Sequence, residues 1–236
     1  MWDSKYLKMM LRFPRPAAFA LLAASVLAAP AFAATPPPTT AAQIPNLSIV
    51  KAEIVAYYAS GTYEREASGV AAAAQAYVDE RVREHARRPA IVLDIDDTAL
   101  SDYPYEAAHD FGYDPASYDA AVAAESFPAI APTLHLAQHA KAEGVAVIFV
   151  TGRRTPERAV TLANLLNVGY PQPDGLMLRP VGDHASSVIP FKSHARAQVQ
   201  AAGYTVLISM GDQRSDLTGG HAERTFKLPN PMYFIP

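Results

Sequence analysis

Acidic residues follow two apolar stretches of the sequence, in a pattern that suits the binding of a divalent cation. Asp94 and Asp96 come directly after the apolar run at 90–93, and Asp212 follows a second run at 205–210. Mg²⁺ prefers oxygen ligands, usually one or two carboxylates together with the oxygens of a substrate phosphate. These carboxylates therefore predict a magnesium site that handles a phosphoryl group.

Groups that can bind an anion lie between these acids. Thr151 supplies a hydroxyl directly after the apolar run at 145–150, and the backbone amide of Gly152 is expected where the next helix begins. Lys192 opens a later predicted helix and supplies an ammonium group. A hydroxyl, an amide and an ammonium opposite a metal ion make a site for a phosphoryl group.

Short apolar runs alternate with helical patterns and would position these groups. Strands are predicted at 90–93, 145–150, 176–178 and 205–210, and helices between them at 133–143, 156–168 and 193–202. This alternation predicts an α/β fold, a doubly wound parallel sheet with helices on both faces. Ligands of such sheets bind beyond the carboxyl ends of the strands, so we expect the polar clusters to meet at one edge.

In content and order the polar clusters resemble the four motifs of the haloacid dehalogenase (HAD) superfamily. The matching stretches are Asp-Ile-Asp-Asp-Thr at 94–98, Val-Thr-Gly-Arg at 150–153, Lys192, and Gly-Asp-x-x-x-Asp at 211–216. The chain resembles in particular the subfamily IIIB acid phosphatases, with bacterial class B and class C enzymes and plant vegetative storage proteins. Gly-Gly-His at 219–221 and Leu-Pro-Asn-Pro at 228–231 strengthen this resemblance, which extends over residues 46–236.

The resemblance implies an exported, Mg²⁺-dependent phosphomonoesterase with a HAD-type Rossmann-like core. Asp94 would be the nucleophile that becomes an aspartyl phosphate. Asp96 would protonate the leaving alcohol and then activate water. Mg²⁺ would be held by the side chain of Asp94, the backbone carbonyl of Asp96 and the side chain of Asp212.

The same resemblance implies how the phosphoryl group is held. Thr151, Gly152 and Lys192 would bind its oxygens. Asp216 would orient Lys192 or a metal-bound water.

An aromatic-rich insert at about 100–131 follows the predicted nucleophile, where this superfamily places a small helical cap. Its rings are Tyr103, Tyr105, Phe111, Tyr113, Tyr118 and Phe127. One hypothesis is that Tyr103 and Tyr105 stack on an aromatic or nucleoside leaving group. The alternative is that the rings form the small core of the cap.

The chain begins with the pattern of a signal peptide at 1–33. Four basic residues precede the apolar run at 17–29, which the small-residue site at 31–33 follows. A membrane anchor is the alternative, although the run is short for a bilayer. A proline-rich linker is predicted at 34–45, and an N-terminal helical segment at 46–88, with helices at 46–59 and 63–88, precedes the core at 89–236.

Composition limits the classes of function and partner. The chain has 20 basic and 23 acidic residues, which argues against binding of a nucleic-acid polymer. It has 0 cysteines, which excludes disulfides, thiolate metal sites and an N-terminal lipid anchor. We therefore expect no stable membrane anchor, and a periplasmic or secreted location after cleavage near Ala33. As substrates, the family resemblance implies small phosphomonoesters, nucleotides among them. Formation of a homo-oligomer stays open.

Three other functions are compatible with parts of the pattern. A phosphotransferase would use the same intermediate and deliver the phosphoryl group to an alcohol. A non-catalytic storage or binding relative would lack the nucleophile, whereas Asp94 is present. A metal-dependent sugar transferase could use the Asp-x-Asp pair, but the other motifs would have no role in such an enzyme.

Overall fold

The computed structural model describes residues 45–235, which are built around a single parallel sheet. The strands are β1 (Pro89–Leu93), β2 (Ala146–Arg154), β3 (Gly175–Arg179), β4 (Thr205–Gly211) and β5 (Arg224–Lys227). They pair in the order β3-β2-β1-β4-β5, and every pair is parallel. The predicted doubly wound α/β sheet is confirmed, and its topological switch lies between β1 and β4, the two strands that precede Asp94 and Asp212.

Helices cover both faces of this sheet. They are α1 (Leu47–Ala59), α2 (Thr62–Arg83), α3 (Tyr103–Ala108), α4 (Pro115–Ala123), α5 (Ala131–Ala142), α6 (Arg158–Asn167) and α7 (Ile189–Ala201). Ala195 and Val199 of α7 pack on one face against Val92 and Ile148. Helices α2, α5 and α6 contribute to the larger core on the opposite face.

Helix α2 belongs to this larger core and is not a separate appendage. Its buried side chains, which include Ala67, Ala71, Ala74 and Val78, recur every three or four residues and form one stripe along the helix. The helix ends at Arg83, five residues before the predicted end at 88. The chain then turns through left-handed backbone at His85 and Arg88, with φ of 59° and 44°, and this turn leads it into β1.

Strand β2 and helix α7, which carry residues of the site, extend beyond their predicted bounds. Strand β2 continues to Arg154, past the predicted end at 150. Helix α7 begins at Ile189 rather than at 193, and Pro190 lies in its first turn. Proline suits that place because it lacks the N–H that a first turn leaves unpaired and because its φ is already helical.

The predicted signal peptide at 1–33, and the linker up to residue 44, lie outside the described residues. Among residues 45–235, every helix is too short or too polar to cross a bilayer.

Candidate active site

Three aspartates and one lysine meet beyond the carboxyl ends of β1 and β4. Asp94 follows β1, Asp212 follows β4, and Asp216 ends the 3₁₀ turn Arg214–Asp216. One carboxylate oxygen from each lies within 4.8 Å of the others. Lys192, in the first turn of α7, donates from Nζ to Asp94 Oδ1 at 2.8 Å and also to Asp216 Oδ1. All four side chains are buried.

The electrostatics of this cluster favour an additional positive charge. Burial raises the pKa of Asp94, as does the carboxylate of Asp216, while Lys192 opposes the rise. Burial alone would lower the pKa of Lys192, but Asp94 and Asp216 outweigh it and raise that pKa above its usual value. With all three carboxylates ionised beside one ammonium, the cluster would carry a net charge of −2, and the raised pKa of Asp94 reflects this excess of negative charge. Asp94, Asp212 and Asp216 therefore form a donor set that fits a divalent, oxygen-preferring cation such as Mg²⁺.

Asp212 is held in one orientation by several donors. Gln213 Nε2 and Asn230 Nδ2 donate to its Oδ2 at 2.6 and 2.7 Å, and Thr98 Oγ1 donates to Oδ1 at 3.2 Å. Burial and the neighbouring Asp216 raise the pKa of Asp212 above its usual value, and the hydrogen bonds from Asn230 and Gln213 oppose this rise. The donors therefore favour the ionised, fixed carboxylate that a metal ligand requires.

Asp96 contacts both strand β2 and the insert at 100–131. Arg153 donates to Asp96 Oδ1 from Nε at 2.9 Å and from Nη2 at 2.7 Å. Tyr118 of α4 places its hydroxyl 3.2 Å from the same oxygen and donates to Asp102 Oδ2 at 2.9 Å. Thr151 Oγ1 donates to Asp96 Oδ2 at 3.4 Å. The side chain of Asp96 is thus positioned jointly by the sheet and by an inserted helix.

An irregularity in β2 shapes this part of the site. The pairing of β2 with β3 shifts register between Thr151 and Arg154, which leaves Gly152 and Arg153 unpaired with β3. Gly152 lines the cavity, but it lies inside the strand and not at a helix start as predicted, since the next helical turn begins at Thr155. The fully buried Thr151 accepts from the Arg153 N–H at 3.0 Å.

A glycine and a buried arginine shape the loop after β4. A Cβ at Gly211 would overlap the carboxylate of Asp216. Arg196, only 1% exposed, donates to the carbonyl oxygens of Asp216 and Gly220 at 2.7 and 2.8 Å, and also to that of Thr218. The loop is therefore fixed to α7, the helix that carries Lys192.

An open cavity of about 540 Å³ lies over these groups and includes Asp94, Asp96, Lys192 and Asp212 in its wall. Its aromatic lining comes from Phe111, Tyr113 and Tyr118 of the insert and from Tyr233 and Phe234 near the C-terminus.

The two tyrosines singled out from the sequence point elsewhere in this structure. Tyr103 stacks on Tyr58 of α1, with ring centroids 3.8 Å apart. Tyr105 is buried and bonds through its hydroxyl to Ser117 at 2.7 Å. Neither ring is in the cavity wall, because both are used in packing the insert against itself and against α1.

Several residues that contact the site were not predicted from the sequence. Arg196 lies four residues after Lys192, so helical spacing places both on one face of α7. This spacing could have identified Arg196 as a residue near the site. No such spacing identifies Asn230, which lies in a segment without regular structure. Gln213 is simply a polar residue next to Asp212 in the sequence. Arg153 was recognised from the sequence only as the last residue of the Val-Thr-Gly-Arg stretch at 150–153.

A family model described as HAD superfamily, subfamily IIIB (acid phosphatase), matches residues 23–236. The class C acid phosphatase from Bacillus anthracis shares the fold, with a TM-score of 0.66 and 21% identity, over 80% of this chain and 85% of that structure.

Curated plant proteins match at higher identity over a shorter length. Acid phosphatase 1 of Solanum lycopersicum is 37% identical over 148 residues, which are 61% of this chain and 58% of that protein. The stem 28 kDa glycoprotein of Glycine max is 37% identical over 167 residues, which are 68% of this chain and 66% of that protein. The chain thus matches less than two thirds of the length of these relatives.

Proposed function

Because the chain belongs to subfamily IIIB of the HAD superfamily, the acid phosphatases, we propose that it hydrolyses small phosphomonoesters through an aspartyl phosphate. The observation that carries this proposal is the contact of Lys192 with Asp94 and Asp216 at the switch point of the sheet. A buried carboxylate beside a fixed ammonium is suited to attack phosphorus while the ammonium neutralises charge on the phosphoryl oxygens.

Each side chain then has a defined task. Asp94 attacks phosphorus and the bond to the leaving oxygen breaks. Lys192 binds the transferring group, and Asp216 keeps the ammonium in place through their hydrogen bond. Asp96 gives a proton to the leaving alcohol and later takes one from the water that releases phosphate. The hydroxyl of Thr151 and the amide of Gly152 are proposed as further contacts to the phosphoryl oxygens.

A magnesium ion would be held by the carboxylates of Asp94 and Asp212 and the backbone carbonyl of Asp96. When bound, it supplies positive charge that stabilises the phosphoryl oxygens in the transition state. The three clustered carboxylates with a single ammonium support this assignment.

The cavity supports substrates of moderate size. A volume of about 540 Å³ can take a leaving group as large as a nucleoside. We propose that residues 100–131 act as a cap, and that Phe111 and Tyr113 contact an aromatic leaving group. Small phosphomonoesters, nucleotides among them, are the proposed substrates.

Export is proposed from the sequence. Residues 1–33 would be removed as a signal peptide, and the mature protein would act in the periplasm or outside the cell. Removal of four basic residues and one acidic residue would leave 16 basic and 22 acidic ones, a net charge of −6.

The direct test is a panel of phosphomonoesters assayed with wild type and Asp94→Asn. Wild type should release phosphate, lose activity in EDTA and regain it with Mg²⁺, whereas Asp94→Asn should be inactive under every condition. Activity in the variant would overturn Asp94 as the nucleophile. An inactive wild type would favour a storage or binding role. Transfer of phosphate to an added nucleoside or sugar, detected among the products, would favour the phosphotransferase.

A further inference from the structure

Asn230 connects the C-terminal segment to the carboxylate of Asp212. Its Nδ2 donates to Asp212 Oδ2 at 2.7 Å, while its Oδ1 accepts from the backbone N–H of Met232 at 2.8 Å. The two contacts agree on the orientation of the amide, because a flipped group would set its oxygen against the carboxylate and its NH₂ against an N–H. Asn230 is therefore fixed as a donor to Asp212.

Gln213 makes a second connection of the same kind. Its Nε2 donates to Asp212 Oδ2 at 2.6 Å, and its Oε1 accepts from the backbone N–H of Ile235 at 3.0 Å. The side chain is only 5% exposed, so it is shielded from competing water. One oxygen of Asp212 thus receives two amide donors, and both amides are also bonded to the backbone of residues 232–235.

The backbone around Asn230 restricts its movement. Pro229 and Pro231 flank the residue, and each proline ring fixes its own φ while restricting the residue before it. The same segment supplies Met232, Tyr233, Phe234 and Ile235 to the cavity wall. This segment therefore borders the cavity and, through Asn230, also contacts the carboxylate of Asp212.

We propose that residues 230–235 form a positioning element for the metal site, acting on Asp212 through the side-chain amides of Asn230 and Gln213. This inference rests on the proposed function, in which Asp212 is a ligand of the divalent cation. The two donors to Oδ2, together with the Thr98 hydroxyl that donates to Oδ1 at 3.2 Å, order the carboxylate before a cation binds, so that the cation does not have to order it. Loss of one such supporting hydrogen bond typically weakens metal binding by about 10- to 100-fold.

The test measures metal binding directly, using Mn²⁺ as a probe and electron paramagnetic resonance as the readout. Asn230→Leu should raise the Mn²⁺ dissociation constant at least about tenfold. Its phosphatase activity should be partly restored by excess metal. Asn167→Leu is the matched control, because Asn167 Nδ2 also donates to a carboxylate, Glu125 Oε2, at 2.7 Å, and neither residue lines the cavity. The control should bind Mn²⁺ like wild type.

Other outcomes separate this inference from the function on which it rests. If Asn230→Leu melts at a lower temperature but binds Mn²⁺ with the wild-type constant, the segment is merely structural and the inference is overturned. If Asn230→Leu does not fold, Gln213→Met removes the other donor and should show the same weakening; unchanged binding there also overturns it. If the wild-type protein hydrolyses phosphomonoesters without binding Mn²⁺, both the metal site and this inference are overturned, while the phosphatase function stands.

Discussion

The guanidinium of Arg153 holds a single carboxylate oxygen of Asp96 with both Nε and Nη2, at 2.9 and 2.7 Å. The arginine side chain is only 2% exposed and lies over the ring of Phe127, 5.3 Å from its centroid. It therefore has little freedom to release Asp96. We infer that Arg153 sets the direction in which the proposed acid and base faces the leaving group.

Arg153→Met should disorient Asp96 and lower kcat with little change in KM. General acid–base catalysis contributes about 100-fold or more, so we expect a loss approaching that size for an alkyl phosphate. The loss should be smaller for p-nitrophenyl phosphate, whose leaving group hardly needs a proton. Steady-state kinetics with both substrates measures the difference, and Arg158→Met, which removes an exposed arginine nearby, is the control. Equal losses on both substrates would contradict this role.

Lys192→Met should leave Asp94 and Asp216 buried without their counter-charge. Removing one partner of a buried ion pair typically costs about 3 kcal/mol or more. Urea unfolding in EDTA should therefore show a large loss of stability. The double variant Lys192→Met, Asp216→Asn should recover much of it, since one of the unpaired charges is gone. A double variant no more stable than the single one would show that the loss comes from packing.

Arg196→Met should release the loop that carries Asp216. Hydrogen bonds to a charged donor contribute about 1.5–3 kcal/mol each at most, and the variant leaves three carbonyl oxygens without this partner. We expect a clear fall in melting temperature together with weaker catalysis. Arg196→Lys should restore only part of either, because an ammonium cannot reproduce the guanidinium fork. Gln198→Met, exposed on the same helix, should be neutral in both measurements.

The contact between α2 and the segment entering β5 should depend on pH. Hydrogen bonds from Arg81 lower the pKa of Glu223 below its usual value near 4.5, with a further contribution from Tyr77. A lowered pKa in the folded state stabilises the protein above pH 4.5, and this stabilisation is lost as the pH falls through the folded-state value.

Glu223→Gln should therefore lower the free energy of unfolding by up to about 1 kcal/mol at pH 7, the range of partly exposed ion pairs. The difference from wild type should shrink as the pH falls towards 3. Urea titrations at both pH values measure this, with the exposed Glu53→Gln as control. A difference that stays constant with pH would show that the contact is not electrostatic.

Tyr113, 68% exposed in the cavity wall, is available to stack on an aromatic leaving group. Stacking contributes about 1 kcal/mol, so Tyr113→Ala should raise KM for nucleoside monophosphates several-fold while leaving KM for glycerol phosphate unchanged. Tyr103→Ala should instead lower stability and affect both substrates alike, because Tyr103 stacks on Tyr58. A selective effect of Tyr103→Ala would restore the original stacking hypothesis.

The fold and the acidic cluster could be predicted from the sequence because both follow from local patterns. Apolar runs marked the strands, and the parallel sheet then required the residues after β1 and β4 to meet at its edge. The aromatic residues of the cavity wall could not be predicted in this way. Tyr103 stacks on Tyr58, which belongs to a helix distant in sequence, and is therefore not in the cavity wall. The hydrogen bond from Asn230 to Asp212 could not be predicted either, because a residue between two prolines belongs to no periodic pattern.

The order of the strands has a consequence for how the molecule acquires its shape. The central strand β1 pairs with β4, so Leu93 must find Met210 across more than half of the described chain. Closing such long loops is entropically costly and slows folding. Much of the helical content can form before this pairing, whereas the cavity is complete only once residues 232–235, which line it, are in place. Regained activity should accordingly lag behind the return of circular dichroism when the denatured protein is diluted into buffer.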